Sequence, residues 1–413
     1  MSRCMLGRNG ANRSLLVVET QKGPSMRYVD SIFGSLLKPI DRRRFQAIVD
    51  RQNGDAYDKS FKSWDHLVAL VFAQFSRADS LRGLELSFNA NAHHHYHLNV
   101  GKLSRSTLSD ANARRPVGVF AQTFAMLAEM ADRQTRREGA EMVRLIDASP
   151  IPLGKMCKWA KWNGRIRGMK VHIVYDPDAD CPRLLDITHA TVNDAEIGRT
   201  ITIEAGATYV FDKGYCHYGW WTAIAEAGSF FVTRPKTNMK LDTVRLRAFT
   251  EADGNGFTVL EDAEVSFASK GDSKLPIKLR RVTVKRHQDG ATLVLLSNDL
   301  GRSAVAIGQL YKARWQIELL FRWMKQHLRI RAFIGNNENA IRLQIVAAMI
   351  AYVLIRIAAK AHCVKLPVLR LLDLVGQCLF ERRRFEAIDK PPPVNPGRKR
   401  DGISIHQESF LYA

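Results

Sequence analysis

Residues 142 to 234 hold five short apolar runs, MVRLID (142–147), KVHIVY (170–175), LLDIT (184–188), TYVFD (208–212) and FFVTR (230–234), and their order decides the fold. Each is rich in Val, Ile, Leu, Phe or Tyr and is set off by polar or turn-forming residues, the pattern of strands in a sheet. A turn from Asp176 to Pro182 joins the second and third runs as a hairpin. Residues 194 to 205 predict a short helix, and WWTAIAEAG (220–228) predicts another, closed by Gly228. Two of the runs end in an aspartate, Asp147 and Asp212.

The order strand, strand, strand, helix, strand, helix, strand is that of a ribonuclease-H-like sheet. The expected fold class is therefore α/β, with a catalytic core over 139–340. Downstream, VRLRAFT, GFTVL, LPIKLRRVTV and ATLVLLSN alternate with Gly-Asp turns and predict an all-β insertion at about 236–302. From 303 the pattern is helical, with C-terminal helices at 341–385 and a basic tail at 386–413 whose PPPVNPGRKR composition reads as disordered. Upstream, Trp64, Leu67, Val68, Val71, Phe72 and Phe75 recur at steps of three and four, so 26–138 is expected to be a helical N-terminal domain. Residues 1–25 carry no periodicity and read as a disordered leader, with Met26 an alternative start.

Charge narrows the partner. The 413 residues include 62 Lys+Arg and 41 Asp+Glu, a net +21, which favours a polyanion, nucleic acid ahead of an anionic membrane surface. Residues 301–400 hold 19 Lys+Arg against 6 Asp+Glu, so 13 of those charges sit there. Residues 148–175 add Lys155, Lys158, Lys161, Arg165, Arg167 and Lys170 with no acid, interleaved with Trp159 and Trp162. The six scattered cysteines form no C-x-x-C pair and fit a reducing cytoplasm. The longest apolar run, Ile345 to Ile355, is about half the roughly 20 residues of a bilayer span and predicts a buried core helix, with no membrane partner.

Asp147 and Asp212 at neighbouring strand ends would face the crevice where such sheets bind ligands. Two close carboxylates repel unless a divalent cation neutralises them, and Mg²⁺, a hard ion that prefers oxygen donors, suits them. A third group comes from YKARWQIELLFRWMK (311–325). Read as one helix at 100° per residue, it puts Tyr311, Arg314, Glu318 and Lys325 on one narrow stripe, with Ile317, Leu320, Phe321, Met324 and Leu328 on the opposite, core-facing arc. Arg314 and Glu318 could equally be a plain surface i,i+4 pair.

The spacing Y-x-x-R-x-x-x-E-x-x-x-x-x-x-K, met by Tyr311, Arg314, Glu318 and Lys325, resembles the signature of bacterial insertion-sequence transposases of family 4, in the class with an Asp-Asp-Glu triad. LIDAS around Asp147, VFDKGY around Asp212 and FVTRPKTN after it resemble that family's blocks in the same order. The resemblance implies a DNA transposase in which Asp147, Asp212 and Glu318 hold two Mg²⁺ or Mn²⁺ ions per active site. It implies cutting of element ends, through a hairpin, and joining to target DNA by a nucleoid-associated, DNA-bound dimer. Tyr311, Arg314 and Lys325 would grip terminal phosphates with Arg322 as a further donor. Independently of the resemblance, the charge of the basic run assigns Lys170, Arg165 and Arg167 to phosphate contacts. The family also stacks a flipped base on tryptophan, which Trp315 fits; Phe257 is the aromatic available in the insertion, where no Trp occurs. A nuclease of the same fold and a catalytically silent DNA-binding derivative are the alternatives.

The SRSTLSDANARRP stretch (104–116) predicts a helix capped by Ser106 and stopped at Pro116, with Ser106, Ser109 and Asn112 as candidate base readers. His93, His94, His95 and His97 resemble a metal cluster but lie in an Asn/Ala-rich stretch and read as a solvated loop.

Overall fold

The computed structural model describes residues 30–390 except 77, 138–140, 251, 268–276 and 328–332, so the expected leader at 1–25 and the tail beyond 390 lie outside the described residues. The amino-terminal part is helical: α1 (Ile32–Leu37), α2 (Arg42–Arg51), α3 (Ser63–Phe75), α4 (Leu81–Asn89), α5 (His95–Leu98), α6 (Arg105–Arg114) and α7 (Val117–Arg137). Side-chain caps start three of them, Ser31 accepting from the Gly34 amide at 3.0 Å, Asp41 from the Arg44 amide at 2.8 Å and Ser80 from the Gly83 amide at 3.1 Å, each worth about 1 kcal/mol. The period read at Trp64 to Phe75 is borne out, since nearly all of α3 is buried.

The chain then enters the sheet with β1 (Val143–Pro152), β2 (Gly168–Asp176), β3 (Cys181–His189), α8 (Asp194–Thr200), β4 (Thr208–Phe211), α9 (Tyr218–Glu226) and β5 (Phe230–Thr233). β1 pairs antiparallel with β2 and β2 with β3, while β1, β4 and β5 run parallel, giving the order β3-β2-β1-β4-β5. That is the ribonuclease-H-like arrangement expected from the order of elements. Four more strands follow, β6 (Leu241–Leu246), the short β7 (Asp253–Gly254), β8 (Phe257–Phe267) and β9 (Leu279–Arg286), then β10 (Thr292–Ser297). β10 pairs with β5, so the all-β segment expected at about 236–302 continues the core sheet, ten strands among the described residues.

Helices α10 (Ala304–Ala313), α11 (Trp315–His327), α12 (Glu338–Ala361) and α13 (Val368–Gln377) complete the fold. Every residue from Ile345 to Ile355 is buried, as expected of a core helix. α12 is long and apolar enough to cross a membrane, yet most of it lies inside the protein, packed on α3, α7 and β3. One hydrophobic core therefore joins the N-terminal helices, the C-terminal helices and one face of the sheet. Phe385 and Ile388 are both 2 % exposed, so apolar burial still holds the chain where the tail was expected to begin.

The two arginines among the largest fully buried side chains are paired with carboxylates. Arg144, 1 % exposed, reaches Asp132 on α7, Asp176 at the end of β2 and Glu204 before β4. Arg280 on β9 grips Asp262 on β8 with two bonds of 2.8 and 2.7 Å. Each guanidinium is held by several acceptors, which offsets the cost of taking it out of water.

Candidate active site

Sheet register delivers the two aspartates. The parallel ladder between β1 and β4 ends at the pair Ile146 and Phe211, so Asp147 and Asp212 are the next residues on adjacent strands. Successive side chains alternate between faces. Ile146 and Phe211 pack in the core on the α9 side, which turns Asp147 and Asp212 to the other face, where Leu145, Val210 and Ile317 of α11 pack. One expectation is corrected: β1 does not end at Asp147 but continues to Pro152, paired with β2 alone. Asp147 thus sits where the sheet opens on its β4 side, and this is what exposes a mid-strand carboxylate. Asp212 begins a short turn without spending its carboxylate on a cap.

The expected single helix over 311–325 is two, α10 and α11, with Arg314 between them. The core arc is borne out, Ile317, Leu320, Phe321 and Met324 all being buried, while Leu328 lies outside the described residues. Arg314 is not a surface partner of Glu318. Its guanidinium donates to Asp147 Oδ2 at 3.0 Å and to Glu318 Oε1 at 2.5 Å, with its side chain only 16 % exposed. The i,i+4 spacing is met, but the pair is turned inward and shared with β1.

These contacts set the charges. Burial pushes the Asp147 carboxyl up to about 6, Arg314 and the Ala148 amide pull it down, and Glu318 and Asp212 push it up. Burial opposes the Arg314 charge, but Tyr311, Asp147 and Glu318 outweigh it and hold the guanidinium above its ordinary value. Burial raises the Tyr311 hydroxyl, and its neighbours include Arg314, Asp212 and Arg234. The guanidinium carbon of Arg314 lies 5.5 Å from the Tyr311 ring centre.

Among the described residues, no group of three or more His, Cys, Asp and Glu side chains is arranged to hold a metal ion. The cation that stands between Asp147 and Glu318 in this structure is the Arg314 guanidinium. The donor chemistry still fits a divalent ion. Asp147, Asp212 and Glu318 supply only carboxylate oxygens, as Mg²⁺ and Mn²⁺ prefer, and Asp212 and Glu318 both bear on the charge of Asp147.

The remaining predicted residues divide. Trp315 is half exposed, with the Arg322 guanidinium 5.7 Å from its ring centre. Lys325 is half-buried two turns beyond Glu318. Arg165 and Arg167 are exposed on the loop joining β1 to β2. Lys170 is instead engaged internally, donating to the Val192 carbonyl and to Asp194, both at 2.8 Å. Phe257 is buried against α10, its ring where a Gly308 Cβ would stand, so it is no stacking platform. In α6 the cap is Ser104, not Ser106. Ser106 and Ser109 are exposed but Asn112 is buried and bonded to His66 at 2.8 Å, because steps of three drift about 60° each around a helix and carry the third residue inward. The histidines form no solvated loop: His95 is buried against Phe88, and His94 stacks on Phe380.

Sequence reasoning passed over two features. Arg234, just after β5, lies near Tyr311; the same strand-end logic applied to FFVTR would have found it. On the opposite face of the sheet, buried His172 bonds Tyr215 at 3.2 Å and Thr188 at 3.0 Å, tying down the turn that follows Asp212. Only the tyrosine of VFDKGY hinted at this.

Residues 138–354 match the family described as transposase DDE domain, and residues 29–100 match a domain family of unknown function. A protein of Sinorhizobium fredii named "Putative transposase y4zB" is 70% identical over 305 residues, 74% of this chain and 85% of that one. A "Probable transposase for insertion sequence element IS5377" of Geobacillus stearothermophilus is 29% identical over 61% of this chain and 66% of that one. A looser likeness, with TM-score 0.46 and 10% identity over 92% of this chain and 89% of that one, is to a piggyBac transposase synaptic complex with hairpin DNA.

Proposed function

Because the chain belongs to the transposase DDE-domain family and is a DNA transposase, we propose that Asp147, Asp212 and Glu318 are its reactive centre, cutting the ends of an insertion sequence and joining them to target DNA. The observation that carries this reading is the convergence of Asp147, Arg314 and Glu318 from chain positions 167 residues apart, beside Asp212. The three carboxylates would hold two Mg²⁺ or Mn²⁺ ions, which supply a polarised phosphoryl oxygen and an activated water or 3′-hydroxyl.

Arg314 is the counter-ion of the free protein. A DNA phosphate offers it a bidentate acceptor of the same charge as the carboxylates, so on binding an end the guanidinium would turn to the backbone, and Asp147 and Glu318 would be free to hold a metal ion. Tyr311 orients Arg314, its ring beneath the guanidinium. Lys325, Arg322 and Trp315 line the outer course of α11, and Arg165 and Arg167 extend the contact to flanking DNA. Lys170 acts through Asp194 rather than through DNA. Ser106 and Ser109 remain the base-reading candidates of α6. The helical part from residue 30 would bind the ends, the protein working as a dimer that holds two of them in the cytoplasm, at the nucleoid, through a hairpin intermediate.

A strand-joining assay separates this from the alternatives. Incubating the protein with a labelled element end and a supercoiled target in Mg²⁺ is expected to give joined product. Cutting without joining would indicate a nuclease, and neither a silent DNA-binding derivative.

A further inference from the structure

We infer that the loop between β1 and β2 is a cationic aromatic finger, with Trp162 at its surface stacking on an unpaired DNA base. The inference rests on the DNA-binding reading above and adds a ligand to a residue that reading leaves unused.

The loop, residues 153–167, is held from below. Cys157 and Ala160 are buried in the main core. The Trp159 indole donates to the Asn336 carbonyl at 2.7 Å and meets His189 edge-on. Asn163 Oδ1 accepts from the amides of Arg165 and Ile166 at 3.0 and 2.9 Å, and its amide nitrogen donates to the Ala190 carbonyl at 3.1 Å. Gly164 turns the chain at φ +91°, a conformation natural to glycine. A β-bridge joins Trp162 to Arg167, whose guanidinium donates to the Lys158 carbonyl at 3.3 Å.

On this fixed frame the two tryptophans are treated oppositely. Trp159 is tucked in, whereas Trp162 is 59 % exposed and Met156, in the same loop, 73 %. A large apolar ring held rigidly in water costs free energy unless a partner covers it. The chemistry around it identifies that partner. Lys155, Lys158, Lys161, Arg165 and Arg167 are all exposed, and no acid occurs between 148 and 175. Such a surface repels a basic protein and attracts a polyanion. An aromatic ring among backbone-binding cations is the arrangement that holds single-stranded nucleic acid, since every base has a face to stack. Bases inside a duplex are already stacked, so the ring selects an unpaired one. The loop also leaves β1 beyond the rung where β1 and β4 part, so it projects from the same end of the sheet as Asp147 and Asp212. The Pro152–Gly168 rung lies five residues past Asp147, roughly 17 Å along the strand. The base is therefore expected within several nucleotides of the scissile phosphate.

The test compares two fluorescein-labelled probes with the full chain, a blunt duplex and the same duplex carrying a five-nucleotide single-stranded extension with 2-aminopurine in it. The wild type is expected to prefer the extended probe and to quench the 2-aminopurine. Trp162→Ala should lower affinity for the extended probe roughly tenfold, leave blunt-duplex affinity unchanged and abolish the quenching, while Trp162→Phe keeps most of the preference. Equal loss on both probes, or unchanged preference and quenching in Trp162→Ala with wild-type circular dichroism, would overturn the assignment. Arg165→Ala with Arg167→Ala reports on the underlying reading: it should weaken both probes alike, and if it weakens neither, backbone binding by this loop fails while the quenching still decides Trp162.

Discussion

A single guanidinium, Arg314, stands between Asp147 and Glu318 where the family's chemistry calls for metal. Arg314→Gln should lower stability without metal by about 2 kcal/mol, because it strands two half-buried carboxylates. Millimolar Mg²⁺ should then restore more melting temperature to the variant than to the wild type; equal Mg²⁺ shifts in a thermal melt would show that Arg314 carries no such charge. A second prediction concerns His66, fully buried and bonded to Asn112, whose imidazole burial and then Arg115 depress to about 3. The unfolded chain takes up this proton near pH 6.5 and the folded one does not until near 3. Stability is thus present above 6.5 and falls by about 1.4 kcal/mol per pH unit below it. His66→Gln should flatten the fall in urea midpoint between pH 7 and 4.5, and an unchanged slope would contradict the account. At this scale the sequence was informative where spacing implies geometry, as for Arg314 and Glu318. It was silent on Lys170, since nothing local to KVHIVY tells that Asp194 will meet it.

Elements were legible where period and punctuation agree. The five core strands and α3 follow from alternation and from steps of three and four, whereas the continuation of β1 past Asp147 did not, because SPIP reads as a breaker and only pairing with β2 holds it extended. The β-rich stretch was recognised as strand, but that β10 joins β5 is a non-local pairing no local pattern encodes. Two glycines fix how these elements meet. A Cβ at Gly168 would lie 2.2 Å from the Ile151 carbonyl oxygen, and one at Gly308 would lie 2.4 Å from the Phe257 ring. Both Ala substitutions should destabilise by about 1–3 kcal/mol, Gly168→Ala the more, since backbone cannot rotate aside as a ring can. Denaturant midpoints rank them, and Gly308→Ala proving the costlier would reverse the argument.

At the scale of the whole molecule, α12 makes one body of parts that read as separate in the sequence. Its burial against α3, α7 and β3 puts the N-terminal helices and the catalytic sheet in a single core. Unfolding should therefore be one transition, with helical circular dichroism and tryptophan fluorescence coinciding; two separated transitions would mean that the halves fold apart. The central claim is that the carboxylates this body brings together are the reactive ones. Its most direct test is cleavage of a labelled element end in Mg²⁺ by Glu318→Gln, alongside Asp147→Asn and Asp212→Asn. Each is expected to bind the end with near wild-type affinity and cut it at least a thousandfold more slowly, on the order expected for loss of a group acting only in the transition state. Cleavage by any of the three at the wild-type rate would contradict the account.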